Sequence, residues 1–213
     1  MKASLKNKKV LITCGPTWVA IDEMRVISNR STGEMGHNIA DEFLAAGAKV
    51  TLLEGPVTHA LTTEGITLKK FHFFDELLTL LGQELIKDFD VVVHAAAVSD
   101  FRPAAKFHKK ISSKGPLDLR LLPTIKIINI IKKLNPKIFL VGFKLETELN
   151  QNFLKTKTRE LFEKSHCDLV VANTTEKKNY RGFIVDPQGH TLSYQSTRRG
   201  LAQNLVKHIK PLL

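Results

Sequence analysis

The sequence predicts an α/β fold in three layers: a mostly parallel sheet between two layers of helices, with an antiparallel hairpin at one edge near the carboxyl terminus. Three observations predict it. Short apolar runs alternate with segments of helical period along most of the chain, the order that builds a parallel sheet. The runs at 9–13 (KVLIT) and 90–98 (DVVVHAAAV) are apolar nearly throughout, as strands covered on both faces are. Late in the chain, two strand-like runs flank PQGH at 187–190, a turn composition that reads as a hairpin.

The elements follow in order. Residues 9–13 are the first strand. Residues 38–46 are helix, with Ile39, Phe43 and Leu44 on one face and Gly47 as the stop. Residues 49–53 are a second strand, ended by Gly55 and Pro56, and 67–73 a weaker third. Helix 75–87 turns Leu77, Leu78, Leu81 and Leu85 inward, and strand 90–98 follows. Residues 101–116, rich in Lys, Ser and Pro, read as a long functional loop. Then come a short strand at 117–122, a helix at 126–133, a buried strand at 137–143, a helix at 152–164 and a strand at 168–172. The hairpin strands at 183–186 and 190–194 and a helix at 199–209 complete the chain. No repeat, low-complexity segment or linker interrupts it, and 213 residues suit one domain, read as 1–213.

The net charge is +11. Its basic residues are scattered in pairs, such as Lys69 and Lys70, Lys132 and Lys133, or Arg198 and Arg199, with no dense block. No RNP-like aromatic motif, zinc-finger spacing or basic arm accompanies them, so a nucleic-acid partner is not expected. A solvated lysine-rich surface accounts for most of the charge and a polyanionic small substrate for a few residues of it. Cys14 and Cys167 lie far apart in apolar surroundings without a CxxC or Cys/His partner, which reads as two reduced core residues. No apolar run has the length of a signal peptide or a membrane span. A cytoplasmic protein is the expectation.

In such sheets ligands bind beyond the carboxyl ends of the strands. The loop after the first strand runs from 13 to 36. It lacks the GxGxxG of a dinucleotide clamp and enters its helix through STGEMG at 31–36. Ser31 and Glu34 have capping-box spacing. Gly33 and Gly36 leave backbone N–H groups uncovered where phosphate is received. An ordinary capped helix is the alternative; Arg25, Asn29 and Arg30 and the loop's length favour a site. After the fourth strand, three alanines, Ala95, Ala96 and Ala97, let a flat group approach the backbone. Asp100 can accept from a base or ribose, or else cap a helix or pair with Arg102. Lys109, Lys110 and Lys114 stand on the following loop, either as solvated surface or as a flap that closes over a triphosphate.

Five blocks carry a family resemblance: TCGPT (13–17), RVISNRSTGEMG (25–36), AAAVSDFR (95–102), VGFKLET (141–147) and DLVVAN (168–173). With them the chain resembles phosphopantothenoylcysteine synthetase over nearly its whole length. The resemblance implies a Rossmann-like sheet and a ligase that condenses 4′-phosphopantothenate with L-cysteine. CTP would activate the carboxylate as an acyl-cytidylate with release of pyrophosphate, and the cysteine amine would displace CMP. It implies Mg²⁺ with CTP, no metal site of the protein's own, a homodimer, and a stand-alone form working with a separate phosphopantothenoylcysteine decarboxylase.

By position, Asn29 matches the asparagine of the acyl intermediate, and Arg25, with Gly33 and Gly36, the phosphopantothenate side. Gly15, the backbone of His94, Ala95 and Ala96, Asp100, Lys126 and Phe143 match the nucleotide side, with Lys157 and Lys164 near the triphosphate. Lys110 matches the catalytic lysine. Two departures stand out. Ser112 and Ser113 replace lysines usual after Lys110, which leaves its role open among Lys109, Lys110 and Lys114. Ile125, Lys126, Ile127 and Ile128 replace a block that usually begins with proline.

The rival enzyme reading is an NAD(P)-dependent oxidoreductase with Glu54 on a ribose. GxGxxG is missing, and Tyr180 and Tyr194 are followed four residues later by Ile184 and Arg198, not by the lysine such an enzyme needs. A non-enzyme reading, a basic nucleic-acid-binding module, would show salt-sensitive binding.

Overall fold

The computed structural model describes residues 5–58, 63–107, 109–112, 114–149, 151–174 and 180–213, with backbone alone at 151–153. Strands β1 (Lys9–Cys14), β4 (Lys49–Glu54), β5 (Thr67–Lys70), β6 (Val91–His94), β9 (Phe139–Glu146), β10 (Leu169–Thr174), β11 (Gly182–Val185) and β12 (Thr191–Gln195) form one sheet. Two hairpins stand apart from it: β2 (Trp18–Ala20) with β3 (Val26–Ser28), and β7 (Phe101–Pro103) with β8 (Leu121–Pro123). The helices are α1 (Glu34–Ala45), α2 (Phe74–Leu85), α3 (Ile128–Leu134), α4 (Gln151–Ser165) and α5 (Arg198–Ile209), which runs into a 3₁₀ turn, Lys210–Leu212.

The sheet order is β12-β11-β10-β9-β6-β1-β4-β5. From β5 to β10 all neighbours are parallel, and β11 and β12 are antiparallel additions. The expected three-layer sheet with its edge hairpin is therefore the one observed. The chain steps from β1 outward to β4 and β5, then returns to the other side of β1 as β6. That reversal puts the ligand crevice beyond the carboxyl ends of β1 and β6.

Both sheet faces are covered, which is why β1 shows no polar alternation. Val10 and Ile12 pack under Ile39 and Phe43 of α1 and Leu201 and Leu205 of α5. Leu11 faces the opposite layer, with Leu77 and Leu81 of α2 and Ile131 of α3. Gly47 ends α1 as expected: at φ 92° its N–H donates to the Leu44 carbonyl (2.9 Å), and Ala48 N–H donates to that of Phe43 (3.0 Å). Cys14 and Cys167 are free and buried. Among the described residues no helix is long and apolar enough to cross a membrane.

Several expected boundaries shift. The strand expected at 90–98 pairs with β9 only as far as His94. Beyond it the chain continues on one side alone, against the first loop. Residues 71–73 leave the third strand because Trp18 N–H takes the His72 carbonyl (2.8 Å). The short strand lies at Leu121–Pro123, not 117–122, since its partner is the start of the long loop: Phe101 opposes Pro123 and Pro103 opposes Leu121.

Candidate active site

The two loops beyond β1 and β6 zip together. Ala95 N–H donates to the Thr13 carbonyl (3.1 Å), Ala97 N–H to that of Gly15 (2.8 Å) and Thr17 N–H to that of Ala97 (3.3 Å). The side chains continue the ladder. Ser99 N–H donates to Thr17 Oγ1 at 2.9 Å and Ser99 Oγ to the Thr17 carbonyl at 3.2 Å; Thr17 and Ser99 are both buried. Neither hydroxyl was assigned a role from sequence, although each stands just past a strand end in a quoted block.

Asn29 closes this crevice from above. Its Nδ2 donates to the carbonyls of Ala97 (3.2 Å) and Val98 (3.0 Å). Two carbonyl partners require the amide nitrogen on that side, which turns Oδ1 away from them. One exposed side chain thus links the loop after β1 to the loop after β6.

The entry to α1 differs from expectation. Its N-cap is Gly33 at φ 76°, without a side-chain cap. Glu34 is the first helical residue, so the capping box between Ser31 and Glu34 does not form; Ser31 Oγ accepts only from Gly33 N–H, at 3.4 Å. Gly15 and Gly33 both adopt left-handed φ, and a Cβ on either would strike Val57 Cγ1, at 2.9 and 2.7 Å. Gly36 is buried with its Cα over β1: a Cβ there would lie 2.2 Å from Cys14 Cβ. Gly36 thereby seats the helix on the strand and brings the open N–H groups of its first turn to the crevice.

Asp100 pairs with Lys126, not with Arg102. The β7–β8 hairpin causes this, because it returns the chain so that Thr124 N–H reaches the Asp100 carbonyl (2.9 Å) and Thr124 Oγ1 that of Ser99 (2.7 Å). Phe143 lies near the carboxyl end of β9, half-buried against the α1 side of the core. Lys144, which sequence reasoning passed over, stands beside it on the other face. Its ammonium is 3.5 Å from Glu146, and Lys157 reaches the same carboxylate at 3.3 Å. Lys164 is in the last turn of α4, paired with Glu160 at 2.9 Å, about 10 Å farther from the carboxyl edge than Lys157. Lys109, Lys110 and Lys114 are exposed.

Asp22 was not singled out from sequence. It is 2% exposed, and its Oδ2 accepts from Ile111 N–H at 3.0 Å. That bond is the first of several, with those of the Met24 and Arg25 amides and the Arg25 charge, that hold its carboxyl below the usual range against the opposing effect of burial. Arg25 Nη1 is committed to Asp22 at 3.0 Å and to the Ile111 carbonyl at 3.2 Å.

His94 is buried beneath the zipped loops, its Nδ1 2.9 Å from Thr13 Oγ1. That hydroxyl also accepts from Ala96 N–H at 3.3 Å, so one oxygen ties the ring to the loop after β6. Burial lowers the His94 pKa from 6.5 to about 4. The unfolded chain therefore binds a proton near pH 6.5 that the folded chain refuses until about pH 4. Stability is full above 6.5 and falls toward 4, by about 3 kcal/mol in total. Thermal melting followed from pH 7 to pH 4 should show this decline, and His94→Gln should flatten it; an unchanged slope would disprove the assignment.

One set of metal-capable donors occurs among the described residues: Cys14, His37 and Glu54, with ligand atoms within 4.8 Å. His37 Nε2 is 2.7 Å from Glu54 Oε1, so the pair stands as a part-buried polar contact between α1 and β4, and burial raises the Cys14 thiol pKa. Glu54 is 1% exposed, which removes the carboxylate that a ribose-binding dehydrogenase would need.

Known proteins share this architecture and sequence. The coenzyme A biosynthesis bifunctional protein CoaBC of Thermococcus kodakarensis is 41% identical over 214 residues, covering 99% of this chain and 53% of the relative. CoaBC of Borreliella burgdorferi is 35% identical over 214 residues, with 97% and 53% covered. The chain spans about half the length of the curated relatives it matches. The crystal structure of the DNA/pantothenate metabolism flavoprotein from Streptococcus pneumoniae superposes with a TM-score of 0.86 at 28% identity, over 97% of this chain and 100% of that one. Residues 5–212 match the family described as the DNA/pantothenate metabolism flavoprotein C-terminal domain, and the chain belongs to that family.

Proposed function

We propose that this chain is the ligase that joins 4′-phosphopantothenate to L-cysteine in coenzyme A biosynthesis, with CTP as the activating nucleotide. The observation that carries the reading is the bond from Asn29 to the Ala97 and Val98 carbonyls. It sets the residue expected on the acyl group against the loop expected on the nucleotide, at the one crevice where such sheets bind ligands. The names of the 41% and 35% identical relatives support the pathway.

The chemistry suits the site. A carboxylate is a poor electrophile. Its oxygen attacks the α-phosphorus of CTP and pyrophosphate leaves; the cysteine amine then attacks the acyl carbon, loses a proton, and CMP leaves. The nucleophile belongs to the substrate, so no Ser/His/Asp or Cys/His constellation is needed. The first turn of α1 offers N–H groups to a phosphate. Lys126, Lys144 and Lys157 gather negative charge on the α3–α4 side, and Lys110 does so from the 101–116 loop. With its NH₂ committed to the Ala97 and Val98 carbonyls, Asn29 has Oδ1 left to accept from an N–H of the incoming cysteine amine. Mg²⁺ would enter with CTP as the counter-ion of its triphosphate, bound through phosphate oxygens and water. The exposed Phe101, Leu121 and Leu122 of the β7–β8 hairpin support a second copy of the chain as partner.

The test is direct. With CTP, Mg²⁺, phosphopantothenate and cysteine, the purified protein should release pyrophosphate and form the amide, faster than with ATP. No pyrophosphate from either nucleotide would overturn the reading; faster release from ATP would overturn the base preference alone.

A further inference from the structure

The Asp22 carboxylate has two separate duties. Its Oδ1 accepts from the N–H groups of Met24 (2.8 Å) and Arg25 (2.7 Å), which is all that its own turn requires. Its Oδ2 faces the other way and accepts from Arg25 Nη1 (3.0 Å) and Ile111 N–H (3.0 Å), 89 residues along the chain. Arg25 Nη1 then donates to the carbonyl of that same Ile111 (3.2 Å). The ion pair therefore satisfies both peptide groups of Ile111, as a neighbouring strand would. A second tie lies four residues earlier, where Phe107 N–H donates to the Ile21 carbonyl (3.1 Å). Between these ties stand the exposed Lys109 and Lys110.

We propose that Asp22 is a positioning residue: through Ile111 it docks residues 109–112 on the first loop and so fixes where Lys110 stands. Asp22 touches no substrate in this role. A carboxylate with side-chain exposure of 0% and donors on both oxygens is a rigid anchor, and charged acceptors make the stronger hydrogen bonds. Lys110 has a long flexible stem, so its ammonium is only as well placed as its backbone. Misplacement by about 1 Å of a group that stabilises developing charge costs up to about 100-fold in rate. The catalytic half of this inference rests on the ligase reading; the docking half does not.

Asp22→Asn separates the two duties. It keeps a carbonyl oxygen for the turn and puts an NH₂ against the donors of Ile111 and Arg25. Amide hydrogen exchange across 109–112, measured without any substrate, should accelerate about tenfold or more relative to the sheet strands. Ligase turnover should fall about 10- to 100-fold. In a Lys110→Ala background the same change should cost less than about threefold, because its effect passes through Lys110. Unchanged exchange, or turnover losses that multiply fully in the double variant, would overturn the proposal. If the wild-type protein shows no turnover, the ligase reading falls and the exchange result alone decides the docking. Should Asp22→Asn not fold, Ile111→Pro removes the N–H from the other partner and should reproduce the loss of turnover; retained turnover would count against the role.

Discussion

Asn29→Ala is expected to lower ligase turnover about 100-fold, equivalent to about 2.7 kcal/mol of barrier. Two losses combine. The carboxamide oxygen that would accept from the cysteine amine disappears, and so do the donors that tie the first loop to the Ala97 and Val98 carbonyls. Asn29→Asp separates them. It preserves size and an oxygen, yet places a carboxylate against two carbonyl oxygens, so the tie fails while an acceptor remains. Turnover should fall, but less than in the alanine variant, because only the tie is lost. Single-turnover measurements with CTP would show whether pyrophosphate release or amide formation slows. Wild-type rates in Asn29→Ala would remove Asn29 from the site.

Gly36→Ala should produce the largest loss of stability of any single methyl group in the first loop. The added Cβ would lie 2.2 Å from Cys14 Cβ, and neither atom can rotate away, so α1 must lift from β1. Overpacking of this kind costs about 1–3 kcal/mol or more, against about 1 kcal/mol gained from helix propensity. A net loss of about 2 kcal/mol corresponds to a fall of roughly 4–8 °C in Tm for a chain of this size. Cys14→Ala should not relieve it, because the overlap lies at Cβ, not at the sulfur. An unchanged Tm in Gly36→Ala would show that the helix shifts freely. Anion binding at the α1 entry should weaken in parallel, since the first turn would move with the helix.

Much of this architecture was legible in the sequence because long, buried elements write themselves in apolar runs. The strand at 9–13 and the helix at 75–87 needed no tertiary information. The crevice was also legible, since it follows from strand order. The remainder depended on contacts between distant segments. Strands β2 and β3 are three residues each, too short to show a period. Asp100 pairs with Lys126 only because β7 and β8 bring residues 101 and 123 together, whereas sequence proximity favours Arg102. Asp22 reads as one more acid in AIDEM; its partner is 89 positions away. The expected capping box failed for a local reason. Spacing suggested it, but the left-handed Gly33 takes the N-cap position, two residues after Ser31.

The zipped loops beyond β1 and β6 also constrain chain length. Thr13 to Thr17 and Ala95 to Ser99 are matched rung for rung, through main-chain bonds and then through Thr17 and Ser99 themselves. A residue inserted into either segment would slip every later rung and turn those hydroxyls to the opposite side. Extra residues among 114–119, past the ties at Phe107 and Ile111, would only lengthen the excursion between β7 and β8, whose pairing is set by Phe101 and Pro123. Insertions and deletions should therefore accumulate in the second region and be purged from the first, so that the crevice and the docked residues keep a fixed gauge while the stretch between Ile111 and β8 is free to change size.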